Sequence, residues 1–415
     1  RYEGTLVRLP EALTVSELYD LSRYGEVLLA AGGSRLWNPT ERGDTTLAKN
    51  AERSLVLDDG SAKQNPAVTP YLPLRIGDKV NGLTGVLHEG FGSYRIEPTK
   101  APVWQHANPR RAAPGSVGGA ANVRVASFNT LNWFQTINDA AHPDARGADS
   151  VSEQQRQLAK EIETLAGLDA DIVGLMEVEN NGDAGALKVL VDALNAKVGA
   201  GTYKWIDHPS PGTDAIHVAM IYRAAKVTPV GAATTIDSAL FERHPLVQRF
   251  ERVGGSKPVT LIVNHWKSKG CGVATGPDLD LGQGCWNARR TAQAEAISAL
   301  ADTVDNPLVI GDLNSYSDED PIHVLENGGL ISQSEKYEPK SKRYSYVFDG
   351  MSGELDHVMA GAALKVTGLS IWHINADESP ALDYNQEFNP PYLYQPDEFR
   401  SSDHDPVVVG LKLKK

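Results

Sequence analysis

Asp312 and Asn314 stand two residues apart where an apolar run, Val309 and Ile310, gives out into a polar loop. Side chains alternate faces along a strand, so a carboxylate and an amide at that spacing point the same way. Other apolar runs end alike. ASFNTLN carries Asn129, LMEVEN carries Glu177, LIVNHWKSKG carries His265 and ELDHVM carries Asp356. SSDHDP places Asp403, His404 and Asp405 just before the last apolar run. Each alone has an ordinary reading as a turn residue, a flanking charge or a solvated histidine. Six apolar runs edged in this way would need that reading six times independently.

Hydrolysis of a phosphate ester by activated water is the chemistry these residues could share. Oxygen donors from Asn, Glu and Asp suit a hard divalent cation, magnesium or manganese, that keeps several waters. His265 and His404, with the remaining carboxylates, supply proton-transfer groups near neutral pH. The chain has no Gly-rich loop ending in Lys and Ser/Thr, so nucleoside triphosphate hydrolysis of that type is not indicated. A metal with His, Asp and Asn, and no covalent nucleophile, points to water as the attacking group.

The elements that must position these groups fall into two blocks. Residues 1–106 alternate short strand-like pieces with turn signals (GTLVRLP, EVLLAAGG, SLVLDDG), which predicts a small all-β barrel or sandwich. An oligonucleotide-binding-type barrel fits the strand count and length. Residues 38–54 read as a polar loop. Residues 107–121 are rich in Pro, Gly and Ala without periodicity and read as a linker. Residues 122–415 mix buried strand runs with helices, an α/β or α+β domain. One helix is SVSEQQRQLAKEIETLAGL, with Ser152 and Gln155 as a capping box and Leu158, Ile162 and Leu165 at helical spacing. Another is NARRTAQAEAISALAD.

The 415 residues carry a net charge of −13, with 41% hydrophobic content, as in an ordinary soluble globular chain. Residues 1–115 hold 14 basic and 13 acidic side chains, so the excess of acid lies in the second block. Long-range steering of a nucleic acid would be weak, and a metal with a few local cations would have to meet the phosphate. No apolar run approaches the roughly 20 residues of a membrane-spanning helix. The chain opens at Arg1 with neither a methionine nor a signal peptide, so a mature or trimmed product is expected. Cys271 and Cys285 lie in one Gly-rich loop. A disulfide there would suit a secreted protein, and two reduced thiols in a cytosolic loop are the alternative.

Taken in order, SFNTLN, MEVEN, FERHP, VNHWKS, GDLNS, ELDHV and SDHDPV resemble the endonuclease/exonuclease/phosphatase superfamily, which includes pancreatic-type deoxyribonucleases and apurinic endonucleases. The resemblance spans about residues 122–415. RGADS, GTDAIHVAMIYR and FRSSDHDP resemble the secreted bacterial extracellular nucleases most nearly, and GDKVNGLTGVLHEGFGSYRIEPT is similar to the β-barrel segment that precedes their catalytic domain. The resemblance implies a four-layer αββα sandwich with the site at one rim. It implies Glu177 as main metal ligand, supported by Asn129 and Asp403. Asp312 would position or deprotonate the attacking water, with His404 the alternative for that role, and Asn314 would hold a phosphate oxygen. Asp356 would orient His404 for proton transfer. His265 would bond the phosphate or protonate the leaving oxygen, and Arg243 would contact the scissile phosphate.

Secondary expectations are a substrate-side contact for Asp214, an open role for His217, and a supporting role for Asp405. Residues 377–401, acidic and aromatic, either stack bases or pack as a surface insertion. Asp139, Asp144 and Asp149 could hold a structural calcium. The implied activity is a secreted, metal-dependent deoxyribonuclease acting on DNA, with RNA as an accompanying substrate, and with no membrane and no obligate protein partner. A phosphomonoesterase or lipid phosphodiesterase on the same scaffold is the alternative, and a non-enzymatic DNA-binding or adhesion module the third reading.

Overall fold

The computed structural model describes residues 2–182 and 185–414. The second block is built on two six-stranded sheets. One runs Tyr203–Trp205, Ile216–Arg223, Ile172–Glu179, Val123–Trp133, Val407–Leu411, Val366–Ile371 in spatial order. The other runs Val227–Thr235, Leu246–Arg252, Val259–His265, Pro307–Asp312, Asp356–Gly361, Leu330–Ser332. Alternation explains the layering. Val123 and Val125 point into a core shared with Val259, Leu261, Leu308 and Ile310 of the other sheet, while Ala126 and Phe128 point to the opposite face. That opposite face is covered by the helices Val151–Leu168 and Ala186–Val198 through Leu165, Leu168, Leu190 and Leu194. The outer face of the second sheet is covered by Asn287–Ala301 and Asp320–Asn327 through Ala294, Ile297, Ile322 and Leu325. The order is helix, sheet, sheet, helix, a mixed α/β arrangement. Gly174 lets the sheets close near the site, since a Cβ there would meet Ile310 and Val263 at 2.8 Å.

The first long helix starts earlier than its pattern predicts. Its N-cap is Ser150, whose hydroxyl accepts from the Glu153 amide at 3.2 Å, and the Glu153 carboxylate reaches back to the Asp149 amide. Ser152 and Gln155 therefore lie inside the helix, because Ser150 and Glu153 offer the same S-x-x-E box two residues upstream.

The first block is one eight-stranded sheet, from Leu6–Arg8 at one edge to Val103–Gln105 at the other. The two edges do not pair, so the sheet curls around Leu13, Val15, Leu29, Leu57, Val80 and Ile96 without closing as an oligonucleotide-binding-type barrel does. Residues 38–54 are not a loop. They form Pro39–Arg42, capped by Asn38, and Leu47–Arg53, capped by Thr46. The Asn and Thr that read as loop residues are in fact helix N-caps. Residues 107–121 carry no helix or strand, and they are pinned to the second block: Trp372 donates to the Arg111 carbonyl at 2.9 Å and the Gly115 amide to Ser370 at 2.9 Å. The two blocks also share a sheet, in which Leu36–Trp37 pairs in parallel with Met351–Gly353.

Candidate active site

The strand ends converge because their apolar rows do. Val259, Leu261 and Val263 face the inter-sheet core, and His265 is the next residue on that face. Leu308 and Ile310 are followed by Asp312, Val123 and Val125 lead on the same parity to Asn129, and Ala360 and Val358 run back to Asp356. Asp312 sits directly opposite His265 on one neighbouring strand and opposite Asp356 on the other. Gly311 makes room for this meeting, at φ 134° and with a Cβ position only 1.9 Å from the Asn264 carbonyl oxygen. Glu177 arrives differently. Its φ is +65°, and the register of its strand shifts between Leu175 and Val178, a bulge that re-aims its side chain.

Asp312 is the centre of the group. Its Oδ1 accepts from the Asn314 amide at 2.9 Å, and its Oδ2 faces Asn129 Nδ2 at 3.4 Å, His265 Nε2 at 3.4 Å and His404 Nε2 at 3.8 Å. His404 Nδ1 lies 2.7 Å from Asp356 Oδ2, and the Tyr346 ring covers the imidazole at 4.5 Å between centroids. Glu177 accepts from Asn129 Nδ2 at 3.1 Å and from the Asn132 amide at 2.9 Å. Asn314 donates its own amide to the Trp266 carbonyl at 3.1 Å.

Burial, with Asp356 adding to it against the pull of His404, pushes the Asp312 carboxyl up to about 7. Burial and then Asp403 raise Glu177. Burial works against a charged His404, but Asp356, Asp312 and Asp403 outweigh it and hold that imidazole protonated well above its ordinary range. His265 goes the other way: burial, then Arg243 and His404, hold it neutral. One imidazolium and one neutral imidazole therefore flank one carboxylate.

Ligand atoms of Glu177, His265 and Asp312 lie within 4.8 Å of one another, the one such group of three among the described residues. The donor chemistry fits a divalent cation. Two carboxylates and a neutral imidazole converge, and buried His265 Nδ1 and Asp356 Oδ1 have no hydrogen-bond partner. Glu177 is common to this group and to the ligands the resemblance implies, with Asn129 and Asp403 beside it. Asn129 turns its amide N–H toward the two carboxylates, and its Oδ1 accepts from the Leu131 amide, so it orients them. Asp403 is half-buried beside Glu177, accepting from the Ser402 hydroxyl at 3.4 Å.

Arg243 does not present a free guanidinium to a phosphate. Its Nε donates to the His265 carbonyl at 3.1 Å, its Nη1 pairs with Asp214 at 2.9 Å and its Nη2 donates to the Trp266 carbonyl. It braces the turn after His265. Asp214 is held between Arg243 and Arg146, the latter half-exposed at 47%. His217 is buried beside His208, both ring nitrogens unpartnered, and burial pushes it down to about 4. Asp405 supports the loop through the Asn375 and Ala376 amides and His373. The aromatic residues of 377–401 are engaged from within: Arg23 covers Phe388, Arg156 covers Tyr394, and Tyr392 accepts from the Thr69 amide. The insertion is thus pinned to the body, with Phe388 and Tyr392 still 53% and 52% exposed. Asp139 caps its own turn at Ala141 and His142, and it does not gather with Asp144 and Asp149 into a calcium site. Cys271 and Cys285 form a disulfide with Cα atoms 5.2 Å apart.

Sequence reasoning missed Arg146, Tyr346 and Ser345, whose hydroxyl accepts from the Leu355 and Asp356 amides at 3.0 Å. They lie in loops and short strands without periodicity; Arg146 opens RGADS, which carried part of the resemblance without a role for the arginine, and SYVFDG stands beside ELDHV.

A family model described as Endonuclease/Exonuclease/phosphatase family matches residues 121–404, and one described as a domain of unknown function (DUF8508) matches residues 1–108. No curated protein matches the chain. Among solved structures, an endonuclease/exonuclease/phosphatase family protein from Bacteroides thetaiotaomicron is 17% identical, with a TM-score of 0.44 over 70% of this chain and 97% of its own. A humanized D. rerio TDP2 is 11% identical, with a TM-score of 0.47 over 70% and 98%. The catalytic domain of human Nocturnin with bound sulfate is 18% identical, with a TM-score of 0.45 over 70% and 94%.

Proposed function

The chain belongs to the endonuclease/exonuclease/phosphatase family of metal-dependent phosphoesterases, and from that premise we propose that it is a secreted nuclease that hydrolyses DNA phosphodiester bonds, and RNA bonds with them, by activated water. The observation that carries the reading is the set around Asp312: a carboxylate between the Asp356-held His404 and the neutral His265, with Glu177 beside it. Glu177 and Asp312, with His265 as third donor, would hold magnesium or manganese, which supplies charge to neutralise a phosphate oxygen. Asp312, its carboxyl raised by burial beside the His404 imidazolium, would accept the proton of the attacking water. His404, kept protonated by Asp356, meets the charge that builds on the phosphate. Asn314 would hold a phosphate oxygen, its backbone amide fixed by Asp312.

The disulfide supports secretion, since such bonds persist in oxidising compartments. Among the described residues no helix is long and apolar enough to cross a membrane. Cleavage of supercoiled plasmid with magnesium tests the proposal. Nicking that disappears with EDTA and in Asp312→Ala and His404→Ala is the expected result. Turnover of phosphomonoesters with an intact plasmid would overturn the nuclease reading and leave the phosphoesterase standing.

A further inference from the structure

We infer that the N-terminal domain completes the catalytic site, and that Glu41, on its helix Pro39–Arg42, is a positioning residue that staples the two strand ends carrying Asp312 and Asp356. The inference rests on the phosphoesterase reading of that site. Glu41 is 5% exposed, and one of its oxygens, Oε2, accepts from two amides of the other domain, Glu354 at 3.0 Å and Ser317 at 3.3 Å. Its Oε1 accepts from the Ser317 hydroxyl at 3.1 Å. Ser317 lies in the loop that follows Asp312 and Asn314, and Glu354 lies two residues before Asp356. These two segments come from neighbouring strands in which Asp312 and Asp356 are opposite partners, and His404 touches both carboxylates.

Neighbouring contacts repeat the arrangement. The Asp318 amide donates to the Thr40 carbonyl at 2.8 Å, and Thr40 Oγ1 donates to Glu319 at 2.7 Å. The Asn38 amide donates to the Ser352 carbonyl at 3.0 Å. A second brace reaches the other side of the site: Arg35 pairs with Asp377 at 2.7 Å, and the segment holding Asp377 also gives its Asn375 and Ala376 amides to Asp405, next to His404. A buried carboxyl group bridging two amides on different strands fixes their separation more tightly than apolar packing would, because losing it strands two buried donors.

The full chain and its Glu41→Ala, Glu41→Gln and Tyr392→Phe variants form the test. Plasmid cleavage at saturating magnesium should show kcat lowered about ten- to a hundred-fold in Glu41→Ala with KM little changed, as misplacement of catalytic groups does. Glu41→Gln keeps an oxygen acceptor for both amides and should restore most of it. Tyr392→Phe removes an interdomain hydrogen bond far along the 377–401 insertion and should leave kcat as it was. Hydrogen exchange read on the same proteins needs no activity: Glu41→Ala should speed exchange at 313–317 and 354–356, and Glu41→Gln should not. Unchanged exchange there, or kcat equal to the parent in an active enzyme, overturns the inference. An inactive parent whose exchange still responds to Glu41→Ala overturns the nuclease reading alone.

Discussion

Two of the places where the molecule buries charge treat it in opposite ways. At the seam between domains, Asp377 accepts from Arg35 at 2.7 Å, Asn108 at 2.6 Å and Tyr344 at 2.7 Å, with Arg75 beside it. Burial alone would raise that carboxyl, but Arg35 and Arg75 outweigh it and hold it well below the usual carboxylate range. At the rim, Asp312, Glu177 and Asp356 meet one imidazolium, and polar atoms of His265 and Asp356 are left without partners. Around Asp377 the charges are matched and finished by the chain itself. A rim with surplus carboxylate and orphaned atoms is finished by what binds there.

If that contrast is right, the largest effect follows from Asp312→Asn, which keeps an oxygen for the Asn314 amide but removes the charge. Activity should fall by about 10²–10⁴-fold, the usual worth of a positioned proton acceptor, while thermal stability holds or rises. A variant that both unfolds and loses activity would show that the rim carries the fold as well as the chemistry. Divalent-cation binding, followed by calorimetry with manganese, should fall with it.

The seam should answer the other way. Arg35→Ala leaves buried Asp377 short of its nearest counter-charge and should cost about 3–5 kcal/mol of stability, read from urea midpoints. Undiminished stability would mean that Arg75, Asn108 and Tyr344 suffice, and that the seam is over-determined. The disulfide is the next step down. Cys271 and Cys285 are 14 residues apart, and replacing both with serine should cost about 3 kcal/mol. Their loop is tied back through Lys269, whose Nζ reaches Glu319 at 2.6 Å just beyond the Asp312 loop. Activity should therefore fall less than stability.

The two regions differed as much in how far the sequence reveals them. The rim was legible because strand alternation is a local rule: each apolar row names the next residue on its face, so Asn129, His265 and Asp312 could be placed without knowing the sheet order. Asp356 followed from the same rule run backward. The aim of Glu177 was not legible, since a bulge at positive φ breaks the alternation. Arg243 looked like a phosphate ligand because a motif names the residue and not the carbonyls waiting for it. The seam was silent. Arg35 and Asp377 are 342 residues apart in polar stretches without period, and Glu41 sat in what read as a loop. The open edges of the N-terminal sheet were hidden for a related reason, since closure depends on which strands pair.

The smallest predicted effect is a tilt in stability with pH, and it separates Glu41 from the seam's matched pairs. Burial, and then the neighbouring Glu354, push Glu41 from 4.5 up to about 8. Between those values the unfolded chain has released the proton that the folded chain keeps, so stability falls as pH rises through the window and is flat outside it. Arg35–Asp377 runs in the opposite sense, its stabilisation present above the ordinary carboxylate range and lost only in acid. Glu41→Gln cannot titrate, so its urea midpoint should decline less than the parent's from about pH 5 to about pH 8. Equal declines would show that Glu41 enters the fold already ionised. The seam would then carry an unmatched negative charge next to the rim, and the contrast between the two regions would narrow to the arginine pairs alone.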